Sequence, residues 1–173
     1  RIEHVLGKLG LKLHPQKTRR VVLTQGREGF DFLGCHLHKR MSGRLWQQKG
    51  LRRYYLQRWP SRKAMNRVRE RVRELTPRKR CHQDVRSVIA ELNAVLRGWG
   101  QYFQTGNAAD HFTDVDAYVA KRLRSLRVQR AGRNLRSGQA QRWDRDYFES
   151  LGLHRLRGTI RYPGKPPGSR RTA

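Results

Sequence analysis

The chain is 173 residues long, and its 40 Lys and Arg against 13 Asp and Glu leave a formal charge of +27 at pH 7. That excess is far beyond what solubility requires and calls for a polyanionic partner. No window nears the roughly 18 uninterrupted apolar residues of a spanning helix, so no membrane partner is expected. Hydrophobic residues make up 36 %, enough for a modest core in one or two small domains because they fall in periodic positions.

Val5, Leu6 and Leu9 before Gly10 and Leu11 read as a helix end, with Gly10 in the left-handed capping position. Since Arg1 to Gly10 looks like the last turns of that helix, the chain is expected to begin mid-domain. Leu11 to His14 then reads as a short strand, Pro15 to Lys17 as a turn, and Thr18 to Leu23 as a β-rich strand. Gly26 and Gly29 mark a turn before Phe30, Phe32, Leu33, Cys35 and Leu37, which look like another strand. Arg44 to Gln48 adds a further one across the Ser42–Gly43 turn, which together predicts a small antiparallel sheet.

A helical regime begins at Pro60. Ser61 is a good N-cap, and Met65, Val68, Val72 and Leu75 keep an apolar stripe until Thr76 and Pro77 end it. At about 100° per residue, Arg62, Arg69 and Arg73 gather on one flank of that stripe and Arg67 and Arg71 on the other, with Glu70 and Glu74 between them. Val85, Val88, Ile89, Leu92, Leu96, Trp99 and Phe103 define a core helix whose end carries Arg97 beside Trp99 and Tyr102. The next helix is predicted from about Thr113, with Asp114 and Asp116 in its first turn and Lys121, Arg122, Arg124 and Arg127 in its later turns, a polarity that suits the helix dipole. Trp143, Tyr147, Phe148 and Leu151 predict a last helix between about Gly138 and Leu151, stopped by Gly152. Pro163, Gly164, Pro166, Pro167 and Gly168, followed by Arg170 and Arg171, read as a basic, mobile extension.

Few residues point to catalysis. Asp114 and Asp116 are a pair that could hold Mg²⁺, but their place at a helix start favours a cap, Asp116 completing an arrangement with Thr113. Asp144 and Asp146 read as charge partners of Arg142 and Arg145. Cys35, His36, His38, Cys81 and His82 match no tight zinc-ligand spacing, and two cysteines without a disulfide framework fit a reducing compartment. The glycines of GKLG and RGWG lack the surroundings of a nucleotide-binding loop. What remains is arginine interleaved with aromatics, a mixture suited to RNA. Trp99, Phe103, Trp143 and Tyr147 fall on apolar stripes and read as core, whereas Tyr54, Tyr55 and Tyr102 stay open to either role.

In order along the chain, LGLKLHPQKT, GFDFLGCHL, WPSRKAMNRVRERVREL, LNAVLRGWGQYF and the Asp114-to-Tyr118 helix with its Arg-rich continuation resemble the C-terminal part of group II intron-encoded reverse transcriptase/maturases. The resemblance covers roughly residues 3 to 130. It implies an α+β fragment: residues 1–48 as the end of the polymerase palm and its hairpin, 49–130 as a helical thumb/maturase (X) domain, and 131–173 as a basic C-terminal helix and tail. It also implies binding of intron RNA and of the template–primer duplex, with a DNA target as a further partner, in support of splicing and retrohoming by the full-length protein. The setting it implies is a bacterial cytoplasm, in association with nucleic acid. The polymerase's catalytic aspartates belong to motifs that precede the palm residues seen here, and no Tyr-Ala-Asp-Asp run occurs, so the fragment is expected to be inactive alone, Mg²⁺ belonging to the full-length polymerase.

The candidate nucleic-acid contacts are Arg62, Lys63, Arg67, Arg69, Arg71 and Arg73, then Arg78, Lys79, Arg80, Arg97, Tyr102, Lys121, Arg122, Arg124 and Arg127. Similarity to the final palm motif adds Lys17 and Arg19 near a primer end. The alternative is a stand-alone maturase-derived splicing factor or DNA-binding protein without polymerase activity. Neither the intron recognised nor the oligomeric state is legible at this level.

Overall fold

A computed structural model describes residues 2–14 and 19–161, and in it the chain is α+β, with a three-stranded antiparallel sheet and six α-helices among the described residues. The expected turn at Pro15 to Lys17, Thr18, and the tail from Tyr162 on, including Arg170 and Arg171, lie outside the described residues. Strands β1 (Gly29–Phe32), β2 (Cys35–Met41) and β3 (Tyr54–Pro60) pair in the order β1-β2-β3. The chain divides into two compact units: Arg1–Phe30 with His38–Leu56, and Asp31–Leu37 with Gln57–Ala173.

The first unit holds α1 (Ile2–Lys8) and α2 (Gly43–Lys49). Helix α1 closes as its sequence predicts, Gly10 at φ +70° letting the Leu11 amide donate back to the Leu6 carbonyl at 2.9 Å. Three strand expectations are overturned here. Leu11 to His14 and Arg19 to Leu23 form no strand, only a single 3₁₀ turn following at Thr24–Gly26. The β-branched pair Val21–Val22 has the right propensity but no ladder to join, and Val22 stays 52 % exposed. Arg44 to Gln48 is helical, not extended: Ser42 is an N-cap whose hydroxyl accepts the Leu45 amide, and Gly50 closes the helix two turns later. The third strand is instead β3, whose Tyr54, Tyr55 and Trp59 carry high β propensity.

In the second unit the segment expected as one strand through Leu37 is broken into a hairpin. Leu33 and Gly34 both take positive φ, 47° and 76°, the geometry of a two-residue turn matched to strand twist. Helix α3 (Arg62–Leu75) starts where Ser61 predicts, the Ser61 hydroxyl accepting the Ala64 amide at 3.3 Å. It is followed by α4 (Val85–Phe103), capped by Asp84, and by α5 (Ala109–Ala131). The apolar stripes of all three meet in one core, with Val72, Leu92, Phe112, Val115 and Leu123 at 0 % exposure. Helix α5 begins about four residues before the predicted Thr113, so Asp114 and Asp116 lie within it rather than at its start.

Asp116 is therefore no capping residue. It is buried at 5 % exposure, and its two carboxylate oxygens accept the backbone amides of Leu156 and Arg157, each at 3.0 Å. Asn93 on α4 holds the same segment, donating to the Gly152 carbonyl at 2.8 Å and accepting the His154 amide at 2.7 Å. Residues 152–161 thus run as an irregular strap, turning at Gly158, held to α4 and α5, and Leu156 is fully buried. A Cβ on Gly100 would come within 2.5 Å of Leu156 Cδ2, so any larger residue there would have to displace the buried Leu156 side chain. The predicted last helix is split: a 3₁₀ turn (Gln139–Arg142) leads to the buried Trp143, and Asp144 then caps a new helix, α6 (Arg145–Ser150), by accepting the Tyr147 amide. Trp143, Phe148, Leu153 and Leu156 all join the core of α3, α4 and α5.

Candidate nucleic-acid interface

Helix α3 carries six cations against Glu70 and Glu74, and the burial of Met65, Val68 and Val72 turns the basic residues outward. Arg62, Lys63, Arg67, Arg71 and Arg73 are exposed, and Arg69 is half-buried. Arg69 reaches the side of α5, where it lines an open cleft of about 530 Å³ with Asp114, Ala117, Tyr118 and Lys121. Helical spacing brings Asp114, Ala117, Tyr118 and Lys121 to one face of α5, and the small Ala117 leaves the floor of the cleft low. A cleft this open cannot enclose a small metabolite. It offers a guanidinium fork, an ammonium and a phenol to an extended anion, with Asp114 as the one acid among them.

The remaining predicted contacts fall into distinct surroundings. Arg71 pairs with Glu74 at 2.7 Å, and Arg78 faces the Gln129 amide oxygen in the orientation that satisfies both groups. Lys79 is exposed. Arg80 is engaged by the Glu91 carboxylate and the Leu75 carbonyl, and its hydrogen bond to Glu91 raises the arginine's pKa and holds the carboxyl below its ordinary value. Arg122 donates from Nε to the Thr76 hydroxyl at 3.0 Å and from a terminal nitrogen to the Thr76 carbonyl, closing the end of α3. Arg124 Nε donates to the Trp143 carbonyl at 2.7 Å, and the Arg127 guanidinium lies 5.3 Å from the Trp143 ring centre. These three cations hold the fold together as well as adding charge.

Tyr102 is 57 % exposed, and its hydroxyl donates to the Leu33 carbonyl at 2.7 Å, fastening the hairpin turn to α4. Arg97 is exposed on α4. In the first unit Arg19 lies 3.7 Å from Glu28, and Lys17 lies outside the described residues. Of the aromatics assigned to the core, Phe103 and Trp143 are buried, while Trp99 and Tyr147 are half-buried against it; Tyr54 and Tyr55 are exposed.

Two groups escaped the sequence reading. Tyr118 lines the cleft, although its place beside the apolar stripe marks it only as near the buried side. Arg142 forms no ion pair with Asp144 or Asp146; its guanidinium lies 4.7 Å from the Trp143 ring centre, and the adjacency in sequence was the only available signal.

Fold and cleft together define a helical domain whose α3 turns its cations outward beside an open cleft on α5. Residues 65–145 match the family described as the group II intron, maturase-specific domain, and this segment belongs to it. The match runs from Met65, inside α3, through α4 and α5, includes Arg69, Tyr118 and Lys121, and ends at the first residue of α6. A domain of that description points to group II intron maturase function, that is, to splicing. No curated protein gives a significant match to the chain. No helix among the described residues is long and apolar enough to cross a membrane.

Proposed function

We propose that this chain binds group II intron RNA through the exposed flank of α3 and the cleft it lines with α5, and so supports folding of the intron for splicing. The observation that carries this reading is the cleft itself, where Arg69, Tyr118 and Lys121 meet with Asp114 as the single acid, Arg69 sharing its helix with the exposed Arg62 and Arg73. Arg62, Lys63, Arg67, Arg69, Arg73 and Lys121 make the phosphate contacts. A grip of this kind is independent of sequence and follows backbone geometry.

In a full-length reverse transcriptase/maturase, the same domain serves as the thumb on a template–primer duplex, and a DNA target joins the complex during retrohoming. Mg²⁺ belongs to the polymerase motifs of that larger protein. Among the described residues, no three His, Cys, Asp or Glu side chains gather as a metal site.

The test is a salt titration of binding to a transcribed group II intron and to poly(U). Six to ten phosphate contacts predict a log–log slope of about −4 to −7 on single strands. Reversing Arg69 and Arg73 together to Glu removes two contacts, which lowers the slope by about 1.4 and the affinity at 0.1 M salt by about thirtyfold or more. A slope near zero, or a double variant that binds like the parent, overturns the reading.

A further inference from the structure

Trp143 is 3 % exposed, yet what covers its ring includes two cations. The Arg127 and Arg142 guanidinium carbons lie 5.3 and 4.7 Å from the ring centre. Arg124 joins them from the neighbouring turn of α5, its Nε held by the Trp143 carbonyl at 2.7 Å. A guanidinium over an indole is attracted by the ring quadrupole, which restrains it without using up its N–H donors. Two cations that share one ring also stand within about a Debye length of each other, so they repel unless an anion intervenes.

The described residues supply no such anion. Among the described residues, no ion pair involves Arg124, Arg127 or Arg142. Asp144, next in sequence to the ring, is spent on the Tyr147 amide as the cap of α6. The Arg127 Nε–H is buried and has no acceptor among the described residues, although buried donors in folded proteins are almost always satisfied. Pre-oriented forks, uncompensated charge and an orphaned donor occur at one place.

We infer that Arg127 and Arg142, stacked on Trp143 and flanked by Arg124, form a second anion site whose ligand is a phosphodiester of RNA. This rests on the RNA-binding reading above and adds to it a fixed phosphate subsite at the junction of α5 and α6. Guanidinium planes held by stacking lose less rotational freedom on binding than the unanchored side chains of α3, so each contact is better preorganised.

The experiment compares the whole chain with Arg142→Gln, using the intron transcript and poly(U), with a thermal melt to check folding. Loss of one phosphate contact predicts a slope smaller by about 0.7 and an affinity about fivefold weaker at 0.1 M salt. A folded Arg142→Gln protein with parental slope and affinity overturns the inference. A second measurement needs no variant: the Arg127 Nε–Hε signal in a ¹⁵N spectrum shifts as RNA is added and saturates with it. Inorganic phosphate is titrated in parallel, and saturation by millimolar phosphate with no response to RNA overturns the assignment to a phosphodiester. If Arg69 and Arg73 reversal weakens binding while Arg142→Gln and the Arg127 signal do not respond, the subsite fails and the cleft stands. If the parent protein binds no RNA, both fail.

Discussion

Helix α3 and the second half of α5 are equally rich in arginine, but the structure uses the two sets differently. On α3 the buried stripe of Met65, Val68 and Val72 leaves Arg62, Arg67 and Arg73 facing water with no carbonyl in reach, so their charge is available to a ligand. On α5, Arg122 and Arg124 lie beside chain ends whose carbonyls need donors: the Thr76 oxygens at the close of α3 and the Trp143 oxygen before α6. A helix terminus leaves acceptors unsatisfied, and a neighbouring arginine is drawn to them. Whether an arginine belongs to the fold or to the partner is thus decided by the acceptors that surround it, and not by its helix.

That contrast can be broken first at its polar centre. Asp116→Ala strands the Leu156 and Arg157 amides and frees the strap that Leu156 anchors beside Gly100. Two hydrogen bonds to a buried carboxylate predict a loss of about 3 kcal/mol. Urea denaturation measures it, and a midpoint unchanged from the parent would show that the strap does not support the core. Arg122→Ala comes next. Losing both bonds to Thr76 predicts about 2 kcal/mol, with the salt slope of RNA binding held at the parental value, whereas Arg69 and Arg73 reversal does the opposite. An Arg122→Ala protein that keeps its stability and loses RNA would erase the distinction between the two helices.

The apolar stripes were legible because period alone reveals them: Val85 through Phe103 recur on one helical face whatever surrounds them. Ser61 was legible for a similar reason, since a cap acts within four residues. Asp116 was not, because its partners are amides 40 residues away, and a carboxylate near a presumed helix start looks like a cap from sequence. Arg122 and Arg124 could not be separated from Arg69 in advance either. Their acceptors are backbone oxygens, which every residue carries and no pattern marks. At 43–49 the same Ser–Gly pair reads as a turn or as an N-cap, and only the Gly50 stop and the position of β3 resolve it.

The smallest expected effect lies where the strap passes α4. Burial first, and then the Arg97 cation, hold the His154 imidazole below its ordinary value of 6.5, while Asp116 opposes them. Between that depressed folded value and the unfolded one, the unfolded chain binds more protons, so stability rises with pH across the window. The contribution is fully present above pH 6.5 and is lost as pH falls through the folded value. Arg97→Gln removes the second cause and moves the His154 pKa upward, which an NMR titration of the imidazole reads directly. The same variant narrows the pH window over which the strap loosens, because the folded and unfolded values draw together. An unmoved His154 titration would mean that burial alone sets its value, and Arg97 would then be counted with the unengaged cations of α3 as one whose charge is available to RNA.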